Sequence, residues 1–195
     1  MLDFIRIACA VPAVRVGDTA KNAEDICAYI EKADARQADI VLFPELALTG
    51  YSCQDLFFQD TLWTGVQQGI RKIAGYTKNY PNVTAAVGLP VRTGMRLYNC
   101  AAVISRGKIH ALVPKTYIPN YNEFYEKRWF ASGADFNTVQ MVNGVPMGSQ
   151  LFDLGSGVLL GVELCEDLWV PQPPSGALAL QGANLIANLS ASDEY

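Results

Sequence analysis

Between Phe4 and Glu45 the apolar positions follow three different rhythms, and each rhythm predicts an element. Phe4 to Val11 is apolar with few breaks and reads as a strand, after which Gly17, Asp18 and Thr19 offer a turn and a helix N-cap. Ala23, Ile26, Cys27, Ile30 and Ala33 recur at helical spacing, which predicts an amphipathic helix over about 20–36 with Cys27 in the core. Ile40 to Phe43 is a short continuous apolar run, as expected of a strand buried on both faces, and Pro44 ends it by withdrawing a backbone donor. Glu45 is thereby set at a strand's carboxyl end.

The same reading carries through the chain. After a Gly50, Tyr51, Ser52 loop, Leu62, Val66, Ile70 and Ile73 mark one face of a second helix near 60–78, whose charges from Arg71 to Lys78 form its solvated face. Val83 to Leu89 is the next strand, with Pro90 as its expected stop. Leu97 to Ser105 and Lys108 to Val113 flank the pair Arg106 and Gly107 and should form a hairpin ended by Pro114, with Lys115 directly beyond. Residues 115–137 are too irregular for a long helix and too aromatic for a flexible linker, so this loop should pack down and shape a pocket or a satellite core. A strand at Ser149 to Asp153 turns through 154–157 into the apolar run from Val158 that leads to Cys165. A short helix follows Pro173 and Pro174, and Leu185 to Leu189 makes a last strand. Helices between strands, together with hairpins, imply an α/β fold with mixed sheets covered by helices.

Composition narrows the function classes. The chain has 195 residues, half of them hydrophobic and 17% charged, which is enough for a domain with a real core and argues against disorder. A net charge of -4 without a basic stripe speaks against nucleic acid as a partner. No apolar run approaches the roughly 20 residues that span a bilayer, and the amino terminus carries Asp3 where a signal peptide wants positive charge, so a cytoplasmic protein without membrane contact is expected. Five cysteines without a CxxC pair, and a single histidine, give neither a disulfide framework nor a metal site; Cys9, Cys27, Cys53 and Cys100 read as inert thiols.

Three polar residues recur in one context. Glu45 in LFPE, Lys115 in VPK and Cys165 in ELCED each follow an apolar strand-like segment, and strands lying side by side would bring them to one edge of a sheet. A thiol becomes a strong nucleophile as its thiolate; an ammonium nearby favours that form, and a carboxylate can take and return the proton. Such a set performs acyl transfer without histidine, and His110 lies inside a predicted strand, poorly placed to pair with a thiol. Each residue also has a plainer reading: Cys165 as a core thiol, Glu45 as a turn cap, Lys115 as a solvated strand end. Glu163, Glu166 and Asp167 surround Cys165 and could frame it or serve as its base.

LFPELALTGY, LVPKTYIPNY and GVELCEDLW together resemble the three catalytic segments of the nitrilase, or carbon-nitrogen hydrolase, superfamily. PKTYIPNYNEFYEKRWF, GVELCEDLWVP and ANLSAS are similar, more closely, to the glutaminase domains of glutamine-dependent NAD(+) synthetases, in the same order over nearly the whole chain. The resemblance implies a nitrilase-like α-β-β-α sandwich with Cys165 as nucleophile, Glu45 as general base and Lys115 as the cation stabilising oxyanion and thiolate. It implies Glu126, with Glu123 as the competing choice, as the glutamate that orients the lysine. Tyr121 and Phe124 are implied as glutamine contacts and Ser192 as the holder of the substrate's amino-acid end. Glu163, Glu166 and Asp167 then frame Cys165.

In such enzymes L-glutamine is split through a thioester, and ammonia passes to a separate ATP-using synthetase domain that amidates nicotinic acid adenine dinucleotide. Residues 1–195 are expected to be part of the glutaminase domain. They lack a phosphate loop, so no cofactor is expected here, with ATP and magnesium confined to the synthetase domain, and a homo-oligomer is expected. The family's arginine for the substrate carboxylate, a few residues beyond the serine, has no counterpart, and SASDEY departs from the expected neutral run, so the chain reads as a partial domain. Two other readings use the same residues: a stand-alone amidase or N-carbamoyl hydrolase, and a non-catalytic assembly domain.

Overall fold

The structure, a computed structural model, describes residues 4–136 and 138–192; the expectations resting on Asp3 and on the chain after Ser192 lie outside the described residues. In chain order the strands are β1 (Ile7–Cys9), β2 (Ile40–Leu42), β3 (Thr84–Thr93), β4 (Arg96–Ser105), β5 (Lys108–Pro114), β6 (Asn120–Tyr121), β7 (Phe124–Tyr125), β8 (Gln140–Val142), β9 (Val145–Met147), β10 (Phe152–Asp153), β11 (Leu159–Leu164) and β12 (Leu185–Leu189). The helices are α1 (Thr19–Ala35), α2 (Asp60–Tyr76) and α3 (Pro174–Leu180). Seven strands form one mixed sheet in the order β1-β2-β3-β4-β5-β9-β8, and β10-β11-β12 form a second; β6 and β7 pair by themselves. β1, β2 and β3 run parallel, β4 reverses direction, and β5 reverses it again, so β2 and β5 end at the same edge.

Strand periodicity divides the interior into two layers. Val41, Ala85, Val87, Cys100, Ala102 and Ile104 pack toward the helices, together with Ile26, Ile30, Val66 and Ile73 of α1 and α2. The alternate residues Ile40, Ala86, Ala101, Val103, Ala111 and Val113 meet Phe152, Leu160, Val162, Leu164, Ala187 and Leu189 of the second sheet. Leu178 of α3 lies over Gly161 on the outer side of that sheet, where a side chain in place of the glycine would strike it. Helices, large sheet, small sheet and helix thus stack as an α-β-β-α sandwich with mixed sheets, the architecture implied by the sequence resemblance.

Local signals acted largely as expected. Asp18 caps α1 by accepting from the Lys21 N–H at 3.0 Å, and Arg106 and Gly107 both take positive φ (51° and 79°), the conformation of a tight hairpin turn. Several boundaries differ. The first strand is only Ile7–Cys9, and Cys9 is exposed rather than a core thiol. β3 runs through Pro90 to Thr93 because its pairing with β2 ends at Ala86, leaving that edge without ladder bonds for a proline to break. The aromatic segment contains the small β6–β7 hairpin and tight turns, and β10 is confined to Phe152–Asp153. The β8–β9 hairpin was not expected, although Asn143 and Gly144 (φ 51° and 80°) are the dipeptide that builds such turns.

Candidate active site

The interior between the sheets changes from apolar to polar at the edge where β2, β5, β11 and β12 end. The face of β5 that carries Ala111 and Val113 presents Lys115 two residues later, and the face of β4 that carries Val103 and Ala101 presents Asn99. Gly88 lies on the same face of β3, directly beneath the Pro44–Leu46 backbone, and any Cβ there would collide with Pro44 O and Leu46 N. That close approach seats Glu45 against the sheet. Gly133 does the same for the lysine: its N–H donates to Lys115 O at 2.7 Å, where a Cβ would lie 2.7 Å from that oxygen.

Glu45, Lys115 and Glu126 are all buried, and Lys115 has no exposed surface at all. Lys115 Nζ donates to Glu45 Oε1 and to Glu126 Oε1, each at 2.7 Å. Asn99 Nδ2 donates to Glu45 Oε1 at 2.7 Å, Tyr51 Oη to Glu126 Oε1 at 2.8 Å, and the Ala191 N–H to Glu45 Oε2 at 3.2 Å. Burial alone would favour the neutral Lys115 amine, but the two carboxylates outweigh it and strengthen its hold on the proton. Burial is also the main force on Glu45 and raises its proton affinity; Lys115 opposes this and the Glu126 charge adds to it. An ion pair this deep gains little net stability over apolar packing, so such an array points to chemistry.

Cys165 enters from the other sheet. It follows β11 directly, opens a 3₁₀ turn through Leu168, and has φ 41°, a left-handed conformation that a non-glycine residue adopts at a cost of about 1–3 kcal/mol. Asn188 Nδ2 holds its carbonyl at 3.3 Å, and its Sγ lies 3.5 Å from Ser192 Oγ. Burial raises the proton affinity of the thiol and the Glu45 charge raises it further, while Ser192 and Lys115 act against them. A thiol held neutral beside a carboxylate acts as a nucleophile by passing its proton to that carboxylate as the new bond forms.

Asp167 fastens the two sheets' contributions together. Its buried carboxylate accepts from Thr116 N at 3.0 Å and Tyr117 N at 2.8 Å, just beyond Lys115, and from Leu164 N at 3.2 Å, just before Cys165. Burial raises its pKa to about 6 against the pull of these N–H groups. Glu163, also buried, accepts from Ser175 N at 2.9 Å and faces the α3 side.

The remaining predicted residues gather around the same place. Tyr121 Oη donates to Glu166 Oε2 at 2.6 Å, one residue from Cys165, and this bond, with some help from burial, raises the Tyr121 pKa to about 12. Phe124 stands edge-on to Tyr121 and Tyr51, with centroids 5.9 and 6.4 Å apart, and helps line a cleft of about 210 Å³ with Tyr51, Gln54, Trp129 and Ala191. Glu126 is the glutamate that meets Lys115; Glu123 is exposed on the cleft wall. His110 is on β5 beside Ser105, at 2.8 Å, in a separate groove of about 390 Å³ that includes Asp39 and Phe152. Asn99, Tyr51 and Ala191 are site residues that sequence reasoning missed.

The sequence profile of the family Carbon-nitrogen hydrolase matches residues 6–194, which include every residue of this site. The chain belongs to the carbon-nitrogen hydrolase family. It is 38% identical over 194 residues to the glutamine-dependent NAD(+) synthetase of Mycobacterium tuberculosis, covering 97% of this chain and 28% of that protein. The corresponding Xylella fastidiosa protein is 37% identical over 193 residues, covering 98% and 32%. The crystal structure of a glutamine-dependent NAD(+) synthetase from Cytophaga hutchinsonii superposes with a TM-score of 0.82 at 30% identity, over 96% of this chain and 30% of that one. An amidase from Nesterenkonia sp. AN1 shares the fold, with a TM-score of 0.78 at 21% identity over 98% of this chain and 69% of its own. The chain thus spans about a third or less of the length of the NAD(+) synthetases it matches. Among the described residues no helix is long and apolar enough to cross a membrane.

Proposed function

We propose that this chain is the glutaminase part of a glutamine-dependent NAD(+) synthetase, releasing ammonia from L-glutamine through a thioester on Cys165. The observation that carries this reading is the buried Glu45–Lys115–Glu126 array beside the Cys165 thiol, in a chain whose relatives bear that enzyme's name. As the Cys165 sulfur attacks the side-chain carboxamide carbon of glutamine, its proton passes to Glu45. Lys115 and a backbone N–H of the turn after Cys165 stabilise the oxyanion. Glu45 then gives the proton to the departing nitrogen, ammonia leaves, and the glutamyl thioester remains. Water attacks the thioester and loses a proton to Glu45, the Cys165 sulfur leaves and recovers that proton, and L-glutamate is released.

Glu126 orients Lys115 in this scheme and keeps its ammonium charged. Tyr121 and Phe124 border the substrate, and Ser192 holds its amino-acid end. Residues 1–195 belong to the nitrilase-like domain; the ammonia serves a separate synthetase domain that binds ATP and magnesium, in a cytoplasmic homo-oligomer. Ammonia release from glutamine, measured beside a panel of small amides, tests the reading. It predicts glutamine as the preferred amide and no release by Cys165→Ala; release surviving that substitution overturns it, and preference for another amide reassigns the chain to a stand-alone amidase.

A further inference from the structure

Asn99 has no step in this chemistry, yet it is a fully buried side-chain amide in a strand of apolar neighbours, with Cys100 and Ala101 next along β4. Its Nδ2 donates to Glu45 Oε1 at 2.7 Å and reaches Glu126 Oε2 at 3.4 Å. On the other side the same two carboxylates are bridged by Lys115 Nζ. The four side chains therefore close a ring in which two acceptors alternate with two donors. Asn99 Oδ1, by contrast, has no partner among the described residues. A buried acceptor left unpaired destabilises the fold, and an apolar residue of similar size would avoid that cost if packing were all that the position required. Turning the amide over would set its oxygen against two carboxylates, so the surrounding charge fixes its orientation.

We propose that Asn99 is a positioning residue that closes this ring and keeps Glu45 in its proton-accepting form. The inference rests on the reading of Glu45 as the base for Cys165. Two carboxylates share one ammonium in the ring, so negative charge is in excess, and each donor removed makes it easier for a carboxylate to take up a proton. The other groups facing the ring are the Tyr51 hydroxyl, already committed to Glu126, the Ala191 N–H on Glu45 Oε2, the Cys165 thiol and, through their charge interaction with Lys115, Asp167, already committed to three backbone N–H groups, and Tyr121, committed to Glu166. With neither Tyr51 nor Ala191 released from its bond, none of them replaces the lost amide.

The test needs no substrate. The alkylation rate of Cys165 by iodoacetamide is followed against pH, using peptide-resolved mass spectrometry to separate it from the exposed Cys9. Asn99→Leu is expected to move the acid limb of the profile to higher pH and slow alkylation on that limb roughly tenfold or more. Asn99→Ser, which keeps one hydroxyl donor and serves as the second variant should the leucine variant fail to fold, moves the limb in the same direction by less. In a Glu45→Gln background Asn99→Leu moves nothing. If Glu45→Gln changes the limb while both Asn99 variants match the wild type, the role of Asn99 is overturned and that of Glu45 stands. A Glu45→Gln profile identical to wild type overturns the base assignment itself. A shift that persists in the double variant shows that Asn99 does not act through Glu45.

Discussion

The two sheets contribute to the site in different ways. The seven-stranded sheet, covered by two long helices, supplies the ion pair and its amide partner: Glu45 after β2, Lys115 after β5, and Asn99 within β4. The three-stranded sheet, backed by the short helix α3, supplies the thiol after β11 and the Asn188–Ser192 segment after β12. Acid-base machinery must keep fixed distances in a dry setting, and a broad sheet buried on both faces provides that. The Cys165 thiol, the proposed nucleophile, instead occupies a strained turn, where the backbone turns sharply and brings it to the seam. Catalytic competence by this account belongs to the seam and to neither sheet alone.

Breaking the charged side should cost most. Lys115→Met leaves Glu45 and Glu126 buried with no cation between them, and we expect about 3–5 kcal/mol of lost stability in denaturant titrations. The lost stability should be partly regained on acidification, as the carboxylates take up protons, and glutamine turnover should be abolished.

Cutting the clamp across the seam should cost less. Asp167→Ala strips the acceptor from three backbone N–H groups and is expected to destabilise by about 1–3 kcal/mol while lowering turnover. Asp167 also sets a pH dependence. Its pKa in the folded chain, about 6, is raised above the ordinary 3.8, so folding favours its protonated form: the stabilisation that protonation adds is complete below about pH 4 and is lost as pH rises through about 6, separately from the three N–H bonds. Thermal or denaturant melts across this range should show the wild type losing about 3 kcal/mol relative to Asp167→Asn between pH 4 and 7.

Smaller changes sharpen the contrast. Tyr51→Phe deletes the hydroxyl that supports Glu126 and should lower kcat about tenfold with about 1 kcal/mol of lost stability. Tyr121→Phe touches only an exposed contact to Glu166 on the Cys165 side, so stability should stay within about 0.5 kcal/mol while KM for glutamine rises.

What could be read from the sequence follows the same division. Glu45 and Lys115 stand out because each follows a proline at the end of an apolar run, and Cys165 because it lies among three acids just past one. Asn99 and Gly88 do not, since a single polar or small residue inside an apolar strand has no signature until the opposing backbone is placed against it. Tyr51 and Ala191 act through contacts that span 75 and 146 positions along the chain, which no local pattern reports. The choice of Glu126 over Glu123 depends on how the β6–β7 hairpin and the 3₁₀ turn after it orient the aromatic segment. The β8–β9 hairpin was legible in Asn143–Gly144 but had little apolar alternation on either side to draw attention to it.

The most direct test of the seam as a catalytic site is to quench the protein in acid during glutamine turnover and look for the acyl-enzyme by peptide mass spectrometry. A glutamyl adduct is expected on the peptide containing Cys165, absent from Cys165→Ala and absent from the peptides of the other four cysteines. Glutamine turnover with no adduct at Cys165, or with an adduct on another residue, would contradict that expectation.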